Sequence, residues 1–165
     1  MCRSVLTVLI VLVLFCASAS AGQSDSATGA GYLDHAQRVF AFTATRQKNG
    51  NVVGQGVEIY LNKVIWHFAV NCLNVVDNVA TLGGVLTNYK EIGSDYDLTG
   101  SHFWLRVIDN GEGGHKASKD RMTFLWYNDP SNCTEDCVPD CTGELPQAEI
   151  VTIDSGNIQV RQQTQ

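Results

Sequence analysis

The stretch that decides the fold is residues 64–70, VIWHFAV, in which large apolar side chains recur at every second position. A period of two is typical of a β-strand, because successive side chains of a strand point to opposite faces of the sheet. One face of this strand is therefore predicted to carry Val64, Trp66, Phe68 and Val70.

The same period recurs in short runs on both sides of this strand, separated by residues typical of turns. Residues 72–76 and 79–86 are predicted to form a hairpin around Asp77 and Asn78, whose side chains tolerate positive φ. One or two helical turns are predicted at residues 32–37, where Asp34 could cap the first turn. The other predicted strands are residues 38–45, 52–61, 102–108, 121–127, 149–153 and 157–161.

Together these runs predict an all-β fold of about eight mostly antiparallel strands. Gly54 and Gly56 in one strand, and Gly83 and Gly84 in another, indicate bulges or sharp bends of the kind that a curling sheet needs. A closed β-barrel is favoured over a two-sheet sandwich, because closure removes exposed strand edges.

The start of the chain has the pattern of a signal peptide: Arg3, an apolar run at residues 5–15, and Ala19-Ser20-Ala21 before the cleavage point. The apolar run is too short to cross about 30 Å of hydrocarbon as a helix. The protein is therefore expected to be secreted and extracellular, with no transmembrane segment after signal removal. The predicted organisation is a signal peptide at 1–21, a flexible leader at 22–33, a single β domain at 34–161 and a polar tail at 162–165.

The net charge argues against a nucleic-acid partner. Loss of Arg3 with the signal peptide leaves ten basic residues against seventeen acidic ones, a net charge of −7. Proteins that bind nucleic acid through phosphate contacts usually present a basic surface.

Four cysteines remain after signal removal, and an even number in an exported chain predicts disulfides. Four cysteines allow three pairings that the sequence does not distinguish; the preferred set is Cys72 with Cys133 and Cys137 with Cys141. A zinc site is the weaker alternative, because the chain has no Cys-x-x-Cys and no His-x-x-x-His pair. Asn132 lies in an Asn-x-Thr sequon and is a candidate glycosylation site, although a bonded Cys133 would compete with modification.

The long predicted loop at residues 109–120 suggests one candidate metal site. Asp109, Glu112 and Asp120 could bind calcium through carboxylate oxygens, although their spacing differs from that of an EF-hand. The alternative is a solvated hairpin end. No other cofactor is predicted.

Tryptophans and histidines in the predicted strands are the candidate ligand-binding residues. His67 and His102 could act as acid and base if both pointed into a barrel lumen. The chain has no Gly-x-Ser-x-Gly and no His-Glu-x-x-His motif, so a non-catalytic function is favoured and an enzyme stays an alternative. The full set of candidates is Trp66, His67, His102, Trp104 and Trp126.

Several short motifs occur in a fixed order along residues 38–161: NCL at 71–73, ATLGG at 80–84, VIDNGE at 107–112, DR at 120–121 and SGNIQV at 155–160. This set resembles a family of small secreted β domains, mostly bacterial, described as post-COAP-type domains. The resemblance implies an extracellular β domain in which the cysteine at the position of Cys72 is bonded to one in the late loop. It implies no catalytic residues.

The function favoured from the sequence is a secreted, non-catalytic binding or surface-associated β domain with an unknown ligand, and the expected partner is an unknown extracellular ligand, a glycan or a protein. The alternatives are a structural extracellular component, or a small-molecule enzyme or ligand carrier that uses a β-barrel pocket. A cavity of about 300 Å³ or more holding His67 or His102 would favour the enzyme or carrier. A packed interior would leave only outer surfaces for function.

Overall fold

The computed structural model describes residues 24–111, 118–128, 141–142 and 149–163. For residues 126–128 it describes the backbone only. The described part of the chain is all β, as predicted. Within it, no helix has the length and apolar character needed to cross a membrane. The strands are β1 (Ser26–Leu33), β2 (Arg38–Arg46), β3 (Val52–Tyr60), β4 (Val64–Val76), β5 (Val79–Glu91), β6 (His102–Ile108), β7 (Arg121–Thr123), β8 (Trp126–Asn128), β9 (Ile150–Thr152) and β10 (Ser155–Arg161).

The strands form one curled, antiparallel sheet in the order β10-β1-β2-β3-β4-β5-β6-β7-β9, and β8 pairs with β6 beside β7. Nine strands therefore follow one another around a half-barrel, and the prediction of eight strands in a closed barrel is wrong. The physical reason lies at the end of the chain. β9 pairs with β7, whereas β10 begins three residues later and pairs with β1, so no described backbone ladder joins the two edges.

The central strand β4 has the predicted faces but is longer than predicted. Its register with β5 shifts between Val70 and Cys72, so Asn71 is an extra residue that forms a bulge. Before this bulge the even-numbered side chains are buried, and after it the odd-numbered ones are, which lets one strand of thirteen residues keep its apolar side inward. The buried residues are Trp66, Phe68, Val70, Leu73 and Val75.

Two further local predictions are confirmed. The hairpin turns at Asp77, which has a φ of 53°, and Asn78. Gly83 and Gly84 lie opposite the bulge at Asn71, as their pattern predicted. Gly54 and Gly56 have a different role, because the registers of β3 with β2 and β4 do not shift.

Two predictions near the start of the domain are wrong. Residues 26–33 are not a flexible leader; β1 pairs with β2 on one side and β10 on the other, so main-chain hydrogen bonds order a strand of small residues. The predicted helical turn is a left-handed turn, since Asp34, His35 and Ala36 have φ values of 58°, 56° and 60°. A carboxylate oxygen of Asp154 accepts a hydrogen bond from the backbone N–H of Ala36 at 2.9 Å and holds this turn.

Large side chains fill the concave interior of the sheet. The rings of Phe68 and Phe103 have centroids 4.6 Å apart, and Leu82 and Leu105 are opposed on neighbouring strands. All four are buried. The structure therefore has a packed core where the sequence suggested a barrel lumen.

Two aspartates join the open edge of β10 to the other side of the half-barrel, and we call this junction the seam. The backbone N–H of Ile158 donates to Asp120 Oδ2 at 2.7 Å, and that of Val160 donates to Asp109 Oδ2 at 2.9 Å. Asp120 Oδ1 accepts a further hydrogen bond from the N–H of Asn110 at 2.8 Å. Carboxylates thus satisfy backbone donors that a neighbouring strand would satisfy in a closed barrel.

The disulfide differs from the preferred pairing. Cys72 in β4 is bonded to Cys141, with the Cα atoms 6.0 Å apart. The predicted Cys72–Cys133 and Cys137–Cys141 bonds are therefore wrong, whereas a bond from Cys72 to the late segment is present. Cys133, Cys137, Asn132 and the predicted signal peptide lie outside the described residues.

Replacing Asp120 tests the seam. Asp120 is 5% exposed, so Asp120→Ala leaves two backbone donors without their acceptor and should lower the free energy of unfolding by about 2–4 kcal/mol. Asp120→Asn retains one acceptor oxygen and should lower the free energy of unfolding by less than Asp120→Ala does. Urea denaturation measures both, and Asp95→Ala, at an exposed loop position, is the control expected within about 0.5 kcal/mol of wild type. Equal stability of Asp120→Ala and Asp95→Ala would contradict the role of the seam.

Peptide mapping without reduction tests the disulfide and should recover the fragments containing Cys72 and Cys141 as one linked species. The bond closes a loop with a sequence separation of 69 residues, so the double replacement Cys72→Ala and Cys141→Ala should cost about 4 kcal/mol of stability through the greater entropy of the unfolded chain. A linked Cys72–Cys133 fragment would refute this pairing.

Candidate ligand-binding groove

The outer face of the sheet, opposite the packed interior, carries rows of side chains that run across the strands. In one row, Thr28 pairs with Thr43, Thr43 with Gln55 and Gln55 with Ala69. In the next row, Ala30, Ala41, Val57 and His67 are paired in the same way. Polar and small apolar residues therefore lie in parallel lines over β1 to β4.

A groove of about 550 Å³ lies on this outer face between β1 and β5. Gly29 and Gly56 lie beneath it, and on their inner side the rings of Phe42 and Phe68 occupy the space that a Cβ would need. The outward neighbours Ala30 and Ala41 are also small, so the surface is depressed there. The polar residues that line the groove are Thr43, Gln55, His67 and Thr87.

The chemistry of the groove is that of uncharged hydrogen bonding. Its four polar side chains are exposed, and none has a side-chain hydrogen bond to the described residues. No described Asp, Glu, Lys or Arg lines it, so His67 is its one ionisable group among those residues. The arrangement offers hydroxyl, amide and imidazole groups beside alkyl surface.

The structure separates the five candidate ligand-binding residues. Trp66 points inward and is 8% exposed, whereas His67 points into the groove. His102 is half-buried and pairs with Val85 and Asn128, and Trp104 is buried on the same side of β6. The backbone of Trp126 pairs with that of Trp104. Neither histidine faces the interior, so an acid and base pair in a lumen is not formed.

Two of the three calcium candidates, Asp109 and Asp120, contribute to the seam. Both carboxylate oxygens of Asp109 and of Asp120 accept backbone N–H groups, including those of Gly111 and Asn110. Glu112 lies outside the described residues, and the described residues contain no group of three potential metal ligands. Calcium binding stays an untested prediction.

Sequence reasoning missed a buried ion pair at one end of the core. Arg38 Nη1 lies 2.6 Å from Glu58 Oε1, and Glu58 is 2% exposed. The guanidinium carbon lies 4.4 Å from the centre of the Tyr60 ring and 4.5 Å from that of Phe124. Burial raises the pKa of Glu58, and the positive charge of Arg38 opposes this shift. The alternation of inward and outward residues along β3 could have predicted this burial, because it places Glu58 on the inward face.

A second surface groove, of about 590 Å³, lies beside the disulfide. Its one described cation, Arg46, already bonds to Asp25 Oδ2 at 3.2 Å, to the carbonyl of Gly50 at 3.3 Å and to the carbonyl of Leu73. These contacts give Arg46 a structural role, so the groove at His67 is the better candidate for ligand binding.

The ion pair generates a prediction about pH. The folded pKa of Glu58 is raised above the ordinary value of 4.5, so its contribution to stability is fully present below that pH and is lost as pH rises through the folded pKa. Wild type should therefore lose stability relative to Glu58→Gln as pH rises from about 4 to about 8. Arg38→Ala should cost about 3–5 kcal/mol at neutral pH, because it leaves a buried charge unpaired.

Urea denaturation of the three proteins at several pH values measures these effects. The penalty of Arg38→Ala should shrink at acidic pH, where Glu58 is protonated. A free-energy difference between wild type and Glu58→Gln that does not change with pH would contradict the raised pKa.

Comparison with known proteins gives no family and no relative for this chain. No protein-family model matches it, and no curated protein or solved structure matches it. The resemblance to post-COAP-type domains therefore stays a prediction from the motifs.

Proposed function

We propose that this chain is a secreted, non-catalytic binding domain whose ligand lies in the groove at His67. The observation that carries the proposal is the groove of about 550 Å³ whose exposed polar side chains lack side-chain hydrogen bonds to the described residues. The Cys72–Cys141 bond is compatible with an oxidising extracellular location.

The rigidity of the groove supports binding. Every strand from β1 to β5 is hydrogen-bonded to a neighbour on both sides, so the backbone beneath the groove is fixed before a ligand arrives. A preformed site avoids part of the ordering cost that binding otherwise incurs. The packed interior of the described chain also supports an outer site over a ligand carrier with an internal pocket.

The lining supports an uncharged ligand. An anion would find no described lysine or arginine in the groove, and the full sequence has a net charge of −6, or −7 without the predicted signal peptide. A cation would find no described carboxylate there. Threonine, glutamine and histidine can donate to and accept from a neutral ligand that carries hydroxyl or amide groups.

Binding to arrays of neutral glycans and neutral peptides tests the proposal. Wild type should bind at least one such probe, and His67→Ala and Gln55→Ala should each weaken binding about 5- to 10-fold, the effect of one lost hydrogen bond. His35→Ala and Gln47→Ala are matched controls at exposed turn positions away from the groove and should bind as wild type does. Absence of any probe whose binding depends on His67 or Gln55 would refute the proposal.

A further inference from the structure

We infer that the ligand is a neutral, linear glycan that lies across the strands, with about one sugar over each strand from β1 to β4. This inference rests on the proposed function, since it names the class of ligand for the same groove.

The spacing of the polar row carries the inference. Thr28, Thr43 and Gln55 are paired in register on three adjacent strands, and all three side chains are exposed. Neighbouring strands lie about 4.8 Å apart, so the row presents one polar side-chain group about every 4.8 Å: two hydroxyl groups and then an amide. A chain of pyranose sugars presents hydroxyl groups at a repeat close to this spacing.

The neighbouring row supplies the other half of the contact. Ala30, Ala41 and Val57 lie two residues further along the same strands, about 7 Å from the polar row. A pyranose ring has a polar edge of hydroxyl groups and an apolar face of C–H groups. A glycan laid along the two rows would place its hydroxyl groups on the threonines and glutamine and its C–H groups on the alkyl side chains.

Other extended polymers fit less well. A peptide that adds to a sheet needs an unpaired strand edge, and the groove lies over strands that are paired on both sides. Sulfated or uronic-acid glycans and nucleic acids would need cations that the described lining lacks. The two rows therefore favour a neutral glycan over these polymers.

The twist of the sheet sets a further limit on the ligand. Adjacent strands rotate by roughly 20–25°, so the row turns by roughly 60–75° between β1 and β4. A single glycan chain can follow this turn by small rotations at each linkage. The flat surface of a crystalline polysaccharide cannot, so soluble chains should bind better than crystalline ones.

Isothermal titration with neutral oligosaccharides of one to six sugars tests the inference, with glucose oligomers of three linkage types and N-acetylglucosamine oligomers as probes. For at least one series, affinity should rise with each added sugar up to about four sugars and then level off, because the polar residues Thr28, Thr43, Gln55 and His67 lie on four adjacent strands. A monosaccharide that binds as tightly as a tetrasaccharide would overturn the linear mode.

Thr28→Ala distinguishes this inference from the proposed function. Thr28 lies in the polar row, between Gln159 of β10 and Thr43 of β2, but it does not line the groove. The replacement should weaken binding of the tetrasaccharide about 5-fold, whereas Thr152→Ala, an exposed strand position on β9, should not. Thermal unfolding of both variants checks that they fold.

Three further results would overturn the inference, and they can be distinguished from one another. If a neutral glycan binds in a manner that depends on His67 but not on Thr28, the ligand does not extend along the row and the groove function stands. If neutral peptides but no oligosaccharide bind the groove, the ligand class is wrong and the function again stands. If no probe shows dependence on His67 or Gln55, both proposals fail.

Discussion

The structure depends on one packing constraint, the contact of aromatic rings with glycine backbone on the inner face of the curled sheet. Gly29, Phe42, Gly56 and Phe68 lie in one row across four strands. A Cβ at Gly29 would lie 2.7 Å from the ring of Phe42, and one at Gly56 would collide with Phe68. The rings can fill the narrow interior only because alternate members of the row have no side chain, which also allows the strands to bend.

The same constraint explains why a groove lies on the outside. The glycines leave room for large side chains on the inner face, and the outward neighbours Ala30 and Ala41 carry only a methyl group. The depression is therefore a consequence of how the core packs. Its edges are polar because Thr43, Gln55 and His67 are outward residues of strands whose inward residues form the core.

Several ionisable residues of this protein stabilise the fold. Asp109 and Asp120 satisfy backbone donors at the seam, and the pair of Arg38 and Glu58 occupies one end of the core. The two aspartates act where the edge strand β10 lacks a second neighbouring strand, and the ion pair of β2 and β3 places two opposite charges among aromatic rings.

The sequence by itself determined the fold class, the inward face of β4, the hairpin at Asp77 and the bend at Gly83 and Gly84, because a period of two and turn residues act locally. It also identified His67 as a candidate ligand-binding residue, but not Thr43, Gln55 and Thr87, which line the groove with it. Only the tertiary structure decided that β1 is a strand, because its order comes from pairing with β2 and β10 and not from its own composition. Tertiary structure also decided the Cys72–Cys141 bond, the carboxylates at the seam and the groove, since each joins residues distant in the chain. Local pattern carries no information about such distances.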